Sequence, residues 1–361
     1  MQRARFIRWL ILCLALAGLG GIFYAQQVLQ RWAHAPMLQE KETLVTLRPG
    51  MGLSALAIEA EIQGLVSRGF WITLYVRIYK NFRKFQAGPY RVLPGMSLDA
   101  LLEDMQQGRT YHPLVLEFSI PEGYAAAQIL ARMEGLGIVQ TGIASDPTFI
   151  RSLGIEATSL EGFLYPATYR FYDQLPTETQ ALSRMVGEFF SRLPEDYGAQ
   201  IEALGLTLVQ AVNMASLIEH EAFVEAEKPQ ISEVIWTRYQ RKISLGIDAT
   251  LLYGMPEGTT ITTAALHNRE NLYNTRVHIG LPPTPICSPS TSSLAAVLHP
   301  TKEGWLYYVL IPDGSKRHVF SRTLHEHNQH VKTLVQEQKR QRQRLRNGET
   351  GISTGKKKDI K

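Results

Sequence analysis

The sequence predicts an α+β protein in which an N-terminal transmembrane helix precedes a small α/β module and a larger mixed α+β domain. Three observations lead there. Trp9 to Ala25 carries no charge, three segments repeat a β-like stretch followed by a Pro/Gly turn and an apolar-periodic run, and helical periodicity beyond residue 113 alternates with short strand-like stretches. A chain of 361 residues suffices for about two to three domains, and 45% hydrophobic residues is the content of an ordinary buried core.

The uncharged run is at the short end of the roughly 17 to 25 residues that cross a bilayer. Arg3, Arg5 and Arg8 precede it, and such charges hold the N-terminus in the cytoplasm, which sends the chain after the span to the far side. The segment reads as a signal anchor rather than a cleaved peptide. A cut after Ala25 would place Phe23 three residues before the bond, where a small side chain is required. Bulky Leu12 before Cys13 argues against a lipoprotein signal. Cys13 and Cys287 are the only cysteines and the first lies in the span, so no structural disulfide is expected.

The internal echo runs Arg48 to Leu56, Leu93 to Leu101, and Ile120 to Gln128. Each reads as strand, Pro/Gly turn and helix, with Ser54 or Ser97 placed to cap the helix start. Ala87 to Leu93 and Val115 to Ile120 read as strands, and the larger domain is placed from residue 113. Within it, Gln180 to Leu193, Thr207 to Phe223 and Lys228 to Arg241 read as helices, the last with Pro229 in its first turn. Ile247 to Tyr253 and Leu306 to Ile311 read as strands, and Ser321 as the cap of the final helix.

The stretch most suggestive of chemistry is Met214-Ala-Ser-Leu-Ile-Glu219-His-Glu221. Ala211, Ala215, Ile218 and Ala222 recur at helical spacing, so Glu219 lies one residue off a packed stripe. Apolar neighbours strip hydration from a carboxyl and favour its neutral, proton-donating form. Glu221 faces elsewhere on the same helix, so the two acids cannot flank one bond as a pair. Taken alone, Glu219 is also compatible with a helix cap, an ion pair to Arg238 or His220, or a solvated side chain. Glu221, Glu225 and Glu227 read as surface acids.

That helix resembles a short motif of the endolytic murein transglycosylase (YceG-like) family, in the form Ser216-Leu-Ile-Glu-His-Glu221. Further matches follow in order: Leu160-Glu-Gly-Phe-Leu-Tyr-Pro166 with Thr168 and Tyr169, then Asp248, Thr250, Tyr253-Gly254, Tyr273-Asn-Thr275, Gly280-Leu-Pro-Pro283, Pro285-Ile286, Pro289, His318, Phe320 and Glu326-His-Asn328. The departures are Ala167, Ala249, Arg276, Ser288 and Ser290. The resemblance, which covers nearly the whole chain apart from the tail, implies a LysM-like module over 40–112 and a YceG-like catalytic domain over 113–331; hydropathy and charge add a cytoplasmic stub and anchor over 1–29 and a basic, disordered tail over 332–361. It implies a lyase that cuts peptidoglycan glycan strands internally at the bacterial inner membrane, leaves 1,6-anhydro-MurNAc ends, faces the periplasm and acts beside cell-wall synthases. A non-catalytic peptidoglycan-binding scaffold is the alternative.

In such a lyase the sugar's own 6-hydroxyl is the nucleophile, so one glutamate serves as acid and then base, and no cofactor is required. Glu219 is the candidate for both roles. Glu221 matches the family's second acid and would orient the site. Asp248 and Thr250, read on a strand, and Tyr273, Asn274 and Thr275, read in a loop, are candidates for binding an amino sugar or supporting Glu219. Tyr273 and Asn274 fit equally as a core anchor and a turn residue. Gly280 to Pro283 reads as a rigid turn, and His318 as a strand residue near the groove.

Metal chemistry finds little support in the spacing. His327 and His330 share a helix face while His325 does not, and His220-Glu221 lacks the second histidine of a zinc-protease helix. From Lys332 onward ten Lys or Arg oppose three acids, a net of +7 against +5 for the whole chain. This basic run has no interleaved aromatics, which argues against nucleic acid and for a solvated helical end.

Overall fold

A computed structural model describes residues 2–256 and 258–346 of the chain. The chain divides into two compact units, Met1–Leu114 and Val115–Lys361, each built round its own apolar cluster.

The first unit opens with α1 (Gln2–His34), longer than the uncharged run suggests. Its stretch Leu12–His34, with a mean hydropathy of 1.6, is long and apolar enough to cross a membrane. Trp9, Leu14, Leu19 and Phe23 are exposed along it, whereas Leu29 and Ala33 join the unit's core. Then follow β1 (Thr43–Leu47), α2 (Leu53–Ile62), α3 (Phe70–Tyr79), β2 (Gly88–Val92) and α4 (Leu98–Gln107). β1 and β2 pair antiparallel, from Thr43 opposite Val92 to Leu47 opposite Gly88. Val45, Leu47, Tyr90 and Val92 point inward, the period-2 burial of a sheet with one covered face. Ser97 caps α4 by accepting from Ala100 N at 3.2 Å, and Gly108 ends it in the left-handed conformation at φ 67°. Ser54 plays no such part, because Gly52 precedes α2 without a side-chain cap.

The second unit begins with β3 (Leu114–Ser119), α5 (Ala126–Gly135) and α6 (Pro147–Ser152), followed by β4 (Thr168–Tyr172), which pairs with β3. All three echoed segments thus form strand, turn and helix. Helices α7 (Glu178–Arg192), α8 (Tyr197–Ala203), α9 (Leu208–Glu221) and α10 (Lys228–Gln240) come next. Short α11 (Asp248–Leu252) and α12 (Thr263–His267) lead to α13 (Thr291–Leu298), the antiparallel pair β5 (Tyr307–Leu310) and β6 (His318–Ser321), and α14 (Leu324–Arg346).

α9 is the axis of this unit. Thr207 and Gln210 close its first turn reciprocally, and every residue from Ala211 to Ile218 is buried. It is therefore covered all round rather than along one stripe, as a helix central to a core must be. α13 and α10 pack on it.

Several local expectations give way to tertiary context. Ile247 to Tyr253 contains a helical turn, not a strand: Thr250 Oγ1 donates to Ile247 O at 2.7 Å while Thr275 Oγ1 accepts from Ile247 N at 3.0 Å. Side-chain bonds to the backbone here supply what a strand partner would have supplied. Thr323 rather than Ser321 holds the start of α14, accepting from Glu326 N at 3.2 Å, because Ser321 is engaged with His330 Nδ1 at 3.0 Å. The basic segment continues α14 as far as Arg346 instead of forming a disordered tail from 332, and residues 347–361 lie outside the described residues.

Gly162, in the Leu160-to-Pro166 motif, sits at φ +85° where an added Cβ would meet Val212 and Pro285 at 2.7 Å. Both contacts are on rigid side chains. Gly162→Ala should lower stability by about 1–3 kcal/mol, read as a shift of the chemical denaturation midpoint. An unchanged midpoint would show that the α9 wall yields.

Candidate active site

Glu219 lies in the last turn of α9, where the helix's own carbonyl ends disfavour a negative charge. Opposite it stands the start of α13. Ser290 N donates to Glu219 Oε2 at 2.9 Å, and the hydroxyls of Ser290 and Ser293 donate to the same oxygen at 2.6 Å each. Lys228 Nζ is 3.5 Å away, with side-chain exposures of 4% for the lysine and 8% for the acid. That ammonium also reaches Ser290 Oγ at 2.9 Å, Ser292 Oγ at 2.7 Å and Glu225 Oε2 at 3.0 Å. The apolar surroundings expected from the stripe are thus replaced at Oε2 by a cage of donors. Among the described residues no donor falls on Oε1.

Glu221 ends α9 in a different setting. Tyr308 Oη donates to its Oε2 at 2.9 Å, and burial pushes the carboxyl above its ordinary range, against the pull of that bond and of His318. The side chain lines a cavity of about 420 Å³ together with Arg238, Asp248, Arg276, Tyr308 and His327. Glu221 is therefore no surface acid, and neither is Glu227, which is 8% exposed and accepts from His318 Nδ1 at 2.8 Å. Of the three, Glu225 is exposed.

The profile of the YceG-like family matches residues 45–333. This chain belongs to the YceG-like family. An endolytic murein transglycosylase of Bacillus subtilis is 30% identical over 331 residues, covering 86% of this chain and 89% of that protein. One from Streptococcus pneumoniae is 26% identical over 368 residues, covering 91% of this chain; the chain spans only 66% of that longer relative. A crystal structure of a YceG-like protein from Listeria monocytogenes matches 81% of this chain and 99% of its own, with a TM-score of 0.53 and 27% identity.

The other residues singled out in this YceG-like sequence divide by exposure. Thr250, Asn274 and Thr275 are buried. Asn274 Nδ2 donates to the carbonyls of Ala265, Leu266 and Asn268, and its Oδ1 accepts from Arg276 N. Thr250 and Thr275 bond each other at 3.0 Å. These three are braces for the loop that carries Arg276. Asp248, at the start of α11, is exposed and pairs with Arg276, whose Nε is 2.9 Å from Oδ1. Tyr273 bonds Thr284 Oγ1 at 2.8 Å and packs its ring on Tyr253 with centroids 4.6 Å apart. His318 is on β6 as expected, with its ring between Phe223 and Tyr308. Pro282, in the Gly280-to-Pro283 turn, accepts from the buried Asn213 Nδ2 at 2.8 Å.

Sequence reasoning missed Lys228, Ser290, Ser293, Glu122 and Glu161. Lys228 served there as a helix start and Ser290 as a departure from the family pattern; Ser290 stands 71 positions from Glu219, and Lys228, though close along the chain, meets the site through Ser290 across 62 positions. Glu122 is in the turn after β3, tied to the Ser290 loop by Gly123 N donating to Ser288 O at 3.0 Å. Burial and the neighbouring Glu219 push its carboxyl up. Glu161 is 3% exposed, accepts from Ala126 N and from Tyr253 Oη at 2.8 Å, and is likewise raised by burial.

Because Glu221 is raised in the folded state, that state holds the proton more tightly than the unfolded chain. Its contribution to stability is then lost as pH rises from the ordinary glutamate range through the raised value. Glu221→Gln keeps an acceptor for Tyr308 and removes this loss, so the stability gap between variant and parent should widen in the variant's favour with increasing pH. Melting temperatures of both proteins across that range test it, and parallel curves would contradict it.

Proposed function

We propose that this chain is a membrane-anchored lytic transglycosylase that cleaves the MurNAc–GlcNAc bond inside peptidoglycan strands and leaves 1,6-anhydro-MurNAc ends. The names carried by its relatives in B. subtilis and S. pneumoniae support the substrate class. The observation that carries the mechanism is the asymmetry of Glu219, with every protein donor on Oε2 and none, among the described residues, on Oε1.

Glu219 Oε1 gives its proton to the glycosidic oxygen as the bond from that oxygen to C1 breaks. The carboxylate so formed is held by the Ser290 and Ser293 donors and by Lys228, groups already in place where negative charge develops. It then takes the proton of the 6-hydroxyl as O6 closes on C1. The proton count balances, no water is consumed, and the glutamate ends as it began. Glu221, Asp248, Tyr273 and His318 support or contact the sugar, while Thr250, Asn274 and Thr275 brace their loops.

In this reading α1 anchors the protein in the inner membrane with its N-terminus cytoplasmic and the second unit in the periplasm. Residues 40–112 act as a LysM-like, glycan-binding module and 113–331 as the catalytic domain. The two strand–turn–helix units on one small sheet support that assignment.

A second reading places the acid at Glu221, because its buried carboxyl is raised and lines a polar cavity. Purified glycan strands incubated with the full chain, followed by mass spectrometry of the ends, separate the readings. Glu219→Gln should cut the yield of anhydro ends by about 10² to 10⁴-fold, the usual worth of a general acid, while glycan still binds. Retained anhydro ends in that variant with their loss in Glu221→Gln would move the acid to Glu221. Retention in both would leave an envelope scaffold.

A further inference from the structure

The cavity at the end of α9 has a composition that the cleavage step does not require. Two guanidinium groups line it, Arg238 and Arg276, beside the carboxyls of Asp248 and Glu221. Arg238 is fixed by Nε donating to Leu306 O at 2.9 Å and Nη1 to Leu245 O at 2.7 Å, and its plane lies over Tyr307 with 5.1 Å to the ring centre. Its Nη2 has no acceptor among the described residues. Arg276 directs Nε and Nη2 at Asp248 Oδ1, which leaves Nη1 equally unused. His327 Nδ1 is buried without a partner. Burial raises the Glu221 carboxyl, which weakens its claim on the two guanidinium groups. Tyr308 occupies only Oε2 of that acid.

We infer that this cavity is a subsite for the free carboxylate at the end of a peptide attached to the glycan. The carboxylate would take hydrogen bonds from the spare Nη groups of Arg238 and Arg276. Guanidinium forks match that planar acceptor. The volume, about 420 Å³, far exceeds one carboxylate, so the end residues of a peptide fit with it. Ser244, Leu245 and Gly246 complete the lining. Glu219 and Glu221 are two residues apart at the end of α9, so a strand with its sugar at Glu219 carries a peptide within reach. The inference rests on peptidoglycan being the substrate, yet its test does not need turnover.

Titration calorimetry of the full chain in detergent compares an N-acyl dipeptide bearing a free C-terminal carboxylate with its C-terminal amide and with acetate. The acid should bind at least about tenfold more tightly than either, the discrimination expected when charge-assisted bonds are lost. Arg276→Ala should lose that margin, whereas Glu219→Gln should keep it. The groups that face Glu221 or share its cavity are Tyr308, His318, His327, Asp248, Arg276 and Arg238. Loss of the Glu221 proton would weaken the acid's binding as pH rises, and Glu221→Gln should remove that dependence. Equal affinity for acid and amide, equal affinity for acetate, or an unaltered Arg276→Ala protein would overturn the assignment. Loss of anhydro ends in Glu219→Gln is scored separately, so failure of either idea is recognisable.

Discussion

The contact between Lys228, the start of α13 and Glu219 Oε2 is the constraint on which the second unit depends. A lysine at 3% exposure and a glutamate at the end of a helix would each be costly alone, since an unpaired buried charge costs several kcal/mol. Together they complete one another, with the Ser290 hydroxyl accepting from Lys228 Nζ at 2.9 Å and donating to Glu219 Oε2 at 2.6 Å. The arrangement draws α9, α10 and α13 to a single point. It also spends two Ser290 donors on one oxygen and so defines which face of the carboxyl stays open.

The two acids of α9 illustrate how one helical turn supports two electrostatic environments. Glu219 meets donors and an ammonium; Glu221, two residues later, meets a phenol and a polar cavity with two arginines held by backbone carbonyls or by Asp248. Side chains at that spacing leave the helix in different directions and so sample different neighbours. Such divergence gives the helix end one carboxyl raised by burial, Glu221, and one bonded through Oε2 to serine donors, Glu219. The Asn274 and Thr275 braces serve the same end from below, holding Arg276 where it meets Asp248.

Much of this molecule was legible in its residues. The exposed apolar face of α1 follows from an uncharged run that, as part of that helix, is long and apolar enough to cross a membrane. The three strand–turn–helix segments were marked by Pro and Gly, whose backbone preferences act within a few residues, and the extents of α7, α9 and α10 by apolar periodicity. Membership of the YceG-like family was carried by short motifs in order, from Leu160 to Asn328. What failed locally failed for a local reason. Ile247 to Tyr253 has strand-like composition, but Thr250 and Thr275 satisfy its backbone from the side and it turns into a helix.

The sequence by itself determined the long apolar N-terminal helix, the family, and which helix would carry the two acids, because hydropathy, periodicity and motif order are properties of neighbours along the chain. Tertiary structure alone decided what surrounds each acid. Ser290 and Ser293 stand more than 70 positions from Glu219, Tyr308 stands 87 from Glu221, and Lys228 meets Ser290 across 62. Such distances can be closed only by packing α13, α10 and β5 around a helix that is buried on every side. Charge, hydration and hydrogen bonding at a carboxyl depend on that packing, and no run of adjacent residues encodes them.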